Sequence, residues 1–548
     1  MSDGSESRSV LRRYFPEISS FRSGQETAID RSVAGKNTLC LMPTGGGKSL
    51  VYQTAGIRRG GTTLVLSPLV ALMGEQAQRL NARAGITASC LSDLSGPPLY
   101  NSLRDFDFTH GPNFILTSPE RLSSSGYLEY ALRRNKSAIS LVVVDEAHCV
   151  SQWGHTFRPA YRAIPRCLDA IFGRDEWPPV LCLTATLNPR DRAEIVSEFR
   201  IAPEDVITTP SMLRENLVLR CEELTDEPAK KVRLAEILAQ HRGEKVLVYV
   251  HRKEGEYGTA QMSAHFGSLG IECAYYDADL KDTEKDAALA GFHSGAVKVM
   301  FATNAFGMGI DISDIRVVVH YLLPESIEQY YQEVGRAGRD GRPACGFLLF
   351  SETNKKVRRD LIRRSVVKRS EIERMFETKL TLREGQTLRT IDPFVDIVED
   401  KGERSTWYAL QLAGVVQVLA KGPTNIQCFA PASRGFAGDL ERYLEAGSRA
   451  GLMNTVARKL ALPVPRIIDD LWRFFHEGGA KLVSAPSQGN YFTTPAVPPV
   501  AVFDEIERDL AVKLNSRLDG FERLVEMIGA GEDPTDRIRA HLGILPGS

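Results

Sequence analysis

The chain has 548 residues, 43% hydrophobic and 25% charged, the balance of a folded protein of several domains. Its 68 Lys and Arg against 69 Asp and Glu leave a net charge of −1, which excludes a polycation, so nucleic-acid binding would have to come from local patches. No run approaches the roughly 18 apolar residues of a membrane span, and MSDGSESRSVLRRY lacks the apolar stretch of a signal peptide, so a soluble cytoplasmic protein is expected, nucleoid-associated in a bacterium.

Short β-branched runs alternate with helical patterns through the first 350 residues. The strand candidates are TLCLMP (38–43), TTLVLSP (62–68), NFILTSP (113–119), SLVVVDE (140–146) and VLCLTAT (180–186). KVLVYV (245–250), VKVMFAT (297–303) and IRVVVHY (315–321) follow. Near-continuous apolar runs of this kind predict parallel strands covered by helices on both faces. Ligands of such sheets bind beyond the carboxyl ends of the strands. ITTPSMLRENL breaks the alternation near residue 210 and GFLLF closes a second series at 350, which predicts domains at 1–210, 211–350 and 351–548.

The third segment is predicted to be mostly helical. Lys355, Lys356, Arg358, Arg359, Arg363, Arg364, Lys368 and Arg369 crowd one predicted helix. They read either as a DNA-phosphate track, which would make binding salt-dependent, or as a solvated face. Residues 463–495 have the order helix, Gly-Gly turn, polar hairpin, compatible with a winged helix. Ile467, Leu471, Phe474 and Phe475 fit an amphipathic helix packed into a core equally well. Residues from Val502 to about Gly543 read as helices that cap the tail or serve a protein partner. The nine cysteines form no CxxC pair, so neither a disulfide framework nor a zinc ribbon is expected.

Chemistry concentrates at the strand ends. Thr44, Gly45, Gly46, Gly47, Lys48 and Ser49 lie between the first strand and a predicted helix, where glycines turn backbone N–H groups towards phosphate. Lys48 would reach the β- and γ-phosphates and Ser49 would ligate Mg²⁺. Met42 stands where the strict phosphate-loop pattern has its first glycine. Asp145-Glu146-Ala147-His148 follows another strand: Asp145 is assigned to Mg²⁺ and Glu146 to the attacking water. Gln332 opens QEVGRAGRD, whose Arg336 and Arg339 would share one side of a helix and stabilise the transferred phosphoryl group, or serve only as surface ion-pair residues. Together these motifs predict a Mg·ATP hydrolase.

The ordered set FRSGQETAI, MPTGGGKSL, LSPLVALMGEQ, TSPERL, DEAH, CVSQWGHTFRPAY, LTATL, FATNAFGMGID and YYQEVGRAGRDG, within residues 11–350, resembles the RecQ family of superfamily 2 DNA helicases. The resemblance implies an α/β fold of two RecA-like parallel-sheet domains with ATP between them. It implies that Gln25 reads the adenine edge, that Arg22 packs on the base, and that Gly307 and Asp311 complete the site from the second domain. Ile18 replaces the usual aromatic residue at its position, so stacking would be weaker or come from Tyr14 or Phe15. His148, Thr184, Thr186 and Thr303 would couple hydrolysis to movement, and Trp153, His155, Phe157 and Arg158 would meet DNA. Read without the resemblance, Trp153 and Phe157 fit one buried helix face. Thr156 stands where the family usually has an acidic residue. Only Cys345 and Cys428 lie beyond the arginine motif, too few for the family's four-cysteine zinc module, so no zinc is expected. The partners implied are single-stranded DNA and duplex with a single-stranded tail, with 3′-to-5′ unwinding in repair or recombination. Rival readings are a translocase that does not separate strands, an RNA helicase, and an ATP-regulated scaffold.

Overall fold

The computed structural model describes residues 3–541 apart from 44, 95, 151–157, 186, 188, 210–215, 251–254, 308–309, 311, 365–366, 383–387, 392–400, 430–448, 478–480, 485–487, 496–498 and 530–533. Its first half is a parallel sheet of seven strands. Their spatial order is β3 (Thr87–Cys90), β4 (Asn113–Thr117), β2 (Thr62–Leu66), β5 (Ile139–Asp145), β6 (Val180–Thr184), β1 (Thr38–Leu41), β7 (Val206–Thr208). Neighbouring residues serve opposite faces, as strand geometry requires. Leu39, Leu64, Val142 and Cys182 enter one core, while Cys40, Val65, Val143 and Leu183 enter the other.

A second parallel sheet of six strands runs β10 (Cys273–Tyr276), β11 (Val299–Ala302), β9 (Lys245–Tyr249), β12 (Ile315–His320), β13 (Ala344–Phe350), β8 (Leu217–Glu223). The eight apolar runs predicted as strands are β1, β2, β4, β5, β6, β9, β11 and β12.

After residue 350 the chain is largely helical, with two small antiparallel sheets. One joins β14 (Arg389–Ile391), β19 (Gln488–Thr493) and β15 (Gln417–Pro423); the other joins β17 (Arg449–Leu452), β16 (Asn425–Phe429) and β18 (Lys481–Ser484). β18 and β19 therefore belong to different sheets, and the expected hairpin is not formed among the described residues. The helix Val464–His476 turns its apolar residues, Ile467, Leu471, Phe474 and Phe475 among them, into the core, as the amphipathic alternative requires.

The tail divides between the two halves. Trp407, Trp472, Phe475 and Phe503 share the core under one face of the first sheet. The ring of Trp472 lies 5.4 Å from Tyr100, and that of Phe475 lies 5.3 Å from Tyr127. Gly126 is where the two backbones touch: a methyl group there would fall 1.7 Å from the carbonyl oxygen of Lys421. Ile362 and the later tail residues Phe521, Leu524, Met527 and Ile538 join the core of the second sheet instead. The 30-residue helix Val500–Gly529 has its first half in one core and its second half in the other.

The basic run does not lie on one helix. It is split between the helices Glu352–Arg364 and Arg369–Met375, and acidic partners engage much of it. Arg358 is buried and donates to the Leu323 carbonyl at 2.6 Å; Arg359 pairs with Glu522 at 2.6 Å. Lys355 pairs with Glu352 at 2.5 Å, and Arg369 pairs with Asp504. Among the described residues, no helix is long and apolar enough to cross a membrane.

Candidate functional site

Strand order places the motifs. β5, β6 and β1 are consecutive neighbours, so the loops leaving their carboxyl ends meet at one edge. The first of these is the glycine loop. Gly45 and Gly47 adopt φ of 75° and 84°, left-handed angles that glycine reaches without a side-chain clash. Gly47 caps the helix Lys48–Arg59 and supplies no side-chain acceptor, so the first helical N–H groups stay available to an anion.

Lys48 Nζ lies 3.1 Å from Glu146 Oε1. Burial works against the Lys48 charge, but Glu146 and Asp145 outweigh it and hold its pKa above the usual lysine value. Burial likewise opposes the Glu146 charge, and Lys48 overcomes it, holding Glu146 low. Asp145 behaves in the opposite sense: burial, and then the adjacent Glu146 charge, push it up to about 6. Its Oδ2 accepts from Ser67 Oγ at 3.2 Å, and its backbone oxygen accepts from Tyr161 at 2.8 Å. Glu146 has φ of 49°, a conformation that non-glycine residues seldom hold and that costs about 1–3 kcal/mol. The turn sends its carboxylate back to Lys48 and, at 3.3 Å, to His148. His148 in turn meets Thr184 Oγ1 at 3.0 Å, joining the loops after β5 and β6.

A cavity of about 420 Å³ holds both halves of the arrangement. From the first sheet come Gly45, Gly47, Lys48, Ser49, Asp145, Glu146 and His148; from the second come Gly307, Gln332, Arg336 and Arg339. The arginines are not on a helix. The helix Ile327–Val334 ends before Gly335, and both arginines stand in the turns beyond it. Arg336 is buried, and its Nε has no hydrogen-bond partner among the described residues. Such a cation facing a glycine loop suits a triphosphate.

Gln25 and Arg22 reach the glycine loop itself. Gln25 is buried; its Nε2 donates to the Gly46 and Gly47 carbonyls at 3.0 and 3.2 Å, and its Oε1 accepts from Arg22 N. Arg22 Nη1 donates to the Gly45 carbonyl at 2.5 Å. Both hold loop carbonyls, and Phe15 and Ile18 line the cavity. Thr303 is buried and accepts from Ala305 N at 3.3 Å. Arg158 pairs with Glu120 at 3.3 Å. Thr44, Trp153, His155, Phe157, Thr186 and Asp311 lie outside the described residues, as does Thr156. Residue types alone did not single out Ser67, Tyr161 or Gln76, which donates to Ser49 Oγ at 3.0 Å. For Ser67 the signal was available: it ends an apolar run that neighbours β5.

Comparison with known proteins agrees with this geometry. Residues 22–195 match the DEAD/DEAH box helicase family, and residues 229–341 match the helicase conserved C-terminal domain. The probable ATP-dependent DNA helicase RecS of Bacillus subtilis is 35% identical over 358 residues, covering 65% of this chain and 69% of that protein. The chain belongs to the RecQ family. RecQ of Bacillus subtilis is 37% identical, over 65% of this chain and 58% of its own length. SGS1 of Saccharomyces cerevisiae is 34% identical, over 61% of this chain and 23% of its own length. The solved structure of the DUF1998 helicase MrfA bound to DNA shares the fold, with a TM-score of 0.51 at 15% identity, over 70% of this chain and 62% of that one. As a RecQ-family member with a DEAD/DEAH box, the chain binds ATP.

Proposed function

We propose that this RecQ-family chain is an ATP-dependent DNA helicase that moves 3′-to-5′ along single-stranded DNA and separates the duplex ahead, serving repair or recombination beside the nucleoid in the cytoplasm. The observation carrying this reading is the single cavity that presents Lys48 and Glu146 opposite Arg336 and Arg339. Ser49 and Asp145 would hold Mg²⁺, which when bound offsets phosphate charge. Lys48, now paired with Glu146, would turn to the phosphates and release that carboxylate to orient water. Arg336 and Arg339 reach the site only from the second sheet, so turnover depends on how the two halves are apposed. Trp153, His155, Phe157 and Arg158 are assigned to the DNA, with His148 and Thr184 carrying its effect to Glu146.

Strand displacement from partial duplexes with a 3′ or a 5′ tail tests the reading, with ATP hydrolysis followed in the same samples. Displacement from the 3′ tail alone is expected, and displacement from the 5′ tail alone would reverse the direction. DNA-stimulated hydrolysis without displacement would favour a translocase. That second reading draws on β18 and β19, which enter different sheets, so that the described residues form no hairpin there to part the strands.

A further inference from the structure

Beneath the arginine turn lies a polar set, largely buried, whose members are not among the described residues that line the cavity. Tyr249 ends β9 and His320 ends β12, and the two are register partners in the sheet. Their rings stack with centroids 5.3 Å apart and planes 24° apart. His320 Nε2 meets Glu333 Oε2 at 2.8 Å, and Gln329 Nε2 donates to Glu333 Oε1 at 2.9 Å. His320 and Glu333 are 0% and 6% exposed, so this pair is held for its geometry rather than for contact with solvent.

Two ties run from this set to Arg336. The backbone N–H of Arg336 donates to the Glu333 carbonyl at 3.3 Å. Tyr249 Oη donates to the Phe306 carbonyl at 2.6 Å, fixing the loop whose next residue, Gly307, stands so near the arginine that a methyl group there would lie 3.6 Å from Arg336 Nη2. Burial keeps the Tyr249 hydroxyl protonated, against the pull of the nearby Arg336 charge. A phenol that donates to a carbonyl keeps lone pairs to accept from a guanidinium, so one hydroxyl can hold both the loop and the arginine.

We propose that Tyr249, supported by His320 and Glu333, is the positioning residue that aims Arg336 into the nucleotide cavity. This rests on the reading of Arg336 as the group that meets the transferred phosphate. Tyr249 acts through the arginine and touches no substrate. An arginine that acts on the transition state loses rate steeply when displaced by about 1 Å, while ground-state binding changes little.

The test is Tyr249→Phe in the full chain, alone and with Arg336→Ala, measuring DNA-stimulated ATP hydrolysis and thermal unfolding. Tyr249→Phe alone is expected to lower kcat by about 10- to 100-fold, with KM for ATP and the melting temperature nearly unchanged. Added to Arg336→Ala it is expected to cost nothing further, because the group it serves is gone. Glu333→Gln, which keeps the side-chain shape, is expected to repeat the pattern. The proposal is overturned by equal losses in both backgrounds, or by an unchanged kcat for Tyr249→Phe beside a crippled Arg336→Ala. Full turnover by Arg336→Ala would instead overturn the arginine assignment, and the positioning role with it.

Discussion

Lys48 and Glu146 neutralise each other across 3.1 Å, and each has a second task in turnover. Glu146→Gln keeps the side-chain volume and a hydrogen-bonding end but loses the basic oxygen that would orient water. Binding of a fluorescent ATP analogue is therefore expected to survive, while hydrolysis falls by at least about 100-fold. Normal turnover would remove Glu146 from the water-orienting role. Lys48→Ala should abolish hydrolysis together with tight nucleotide binding, and undiminished binding would count against its phosphate contact. These residues were legible because each stands just after an apolar run, where a parallel sheet places its chemistry. The arginine turn was less so: three-residue spacing suggests a helical face, but the helix stops at Val334. Nor does residue type show where Gln25 spends its amide, since the glycine carbonyls it holds lie 21 and 22 residues ahead.

Between elements, the tail is fastened to the first half by a mostly buried pair, Lys421 with Glu129 at 2.7 Å. Removing one partner strands a charge at about 3–5 kcal/mol, whereas replacing both with apolar groups is often nearly neutral. Lys421→Met alone should thus lower the melting temperature sharply, and Lys421→Met with Glu129→Leu should recover most of it. Equal melting of the two variants would show that stranding the Glu129 charge costs little.

On the long helix Val500–Gly529, burial, and next the charge of Arg162, pull Lys513 down to about 8. An unfolded lysine titrates near 10.4. Below pH 8 both states carry the charge, and the folded state bears its full burial cost. As pH rises towards 10.4 the folded chain sheds the proton first, so that cost fades. Lys513→Met is expected to stabilise the fold by about 1–2 kcal/mol at pH 7, after allowing for residual solvent, and to give almost no gain at pH 10.5. Paired melts at the two pH values check this, and a gain independent of pH would assign it to packing. Interior strands were readable from their apolar runs, but β3, β7, β8 and β10 were not. TASC, VIT and CAYY are short, and LVLRCEE alternates buried with exposed residues as edge strands do. The ion pairs of the basic run could not be read locally, because its counter-charges at Asp504 and Glu522 lie more than 130 residues away in sequence.

Across the molecule, two sheets written in the first 350 residues are completed by the C-terminal tail. A chain ending at residue 350 would bare the surface around Tyr100, Tyr127 and Leu128 that Trp472 and Phe475 cover. Such a truncation is expected to aggregate or to bind a hydrophobic dye; a soluble monomer with DNA-stimulated hydrolysis would show that the tail is dispensable to the fold. The amphipathic period of Val464–His476 was visible in the sequence, but which body receives its apolar face was not, since periodicity names a face and never its partner. The helix Val500–Gly529, rooted in both cores, sets an order of events during synthesis. The first sheet is fully translated at Thr208, yet Leu510 of its core comes about 300 residues later. At about 5–20 residues per second, the nascent first half waits roughly 15–60 s for its own last layer. Throughout that interval its unfinished face is open to chaperones on the ribosome, while the second half is being made.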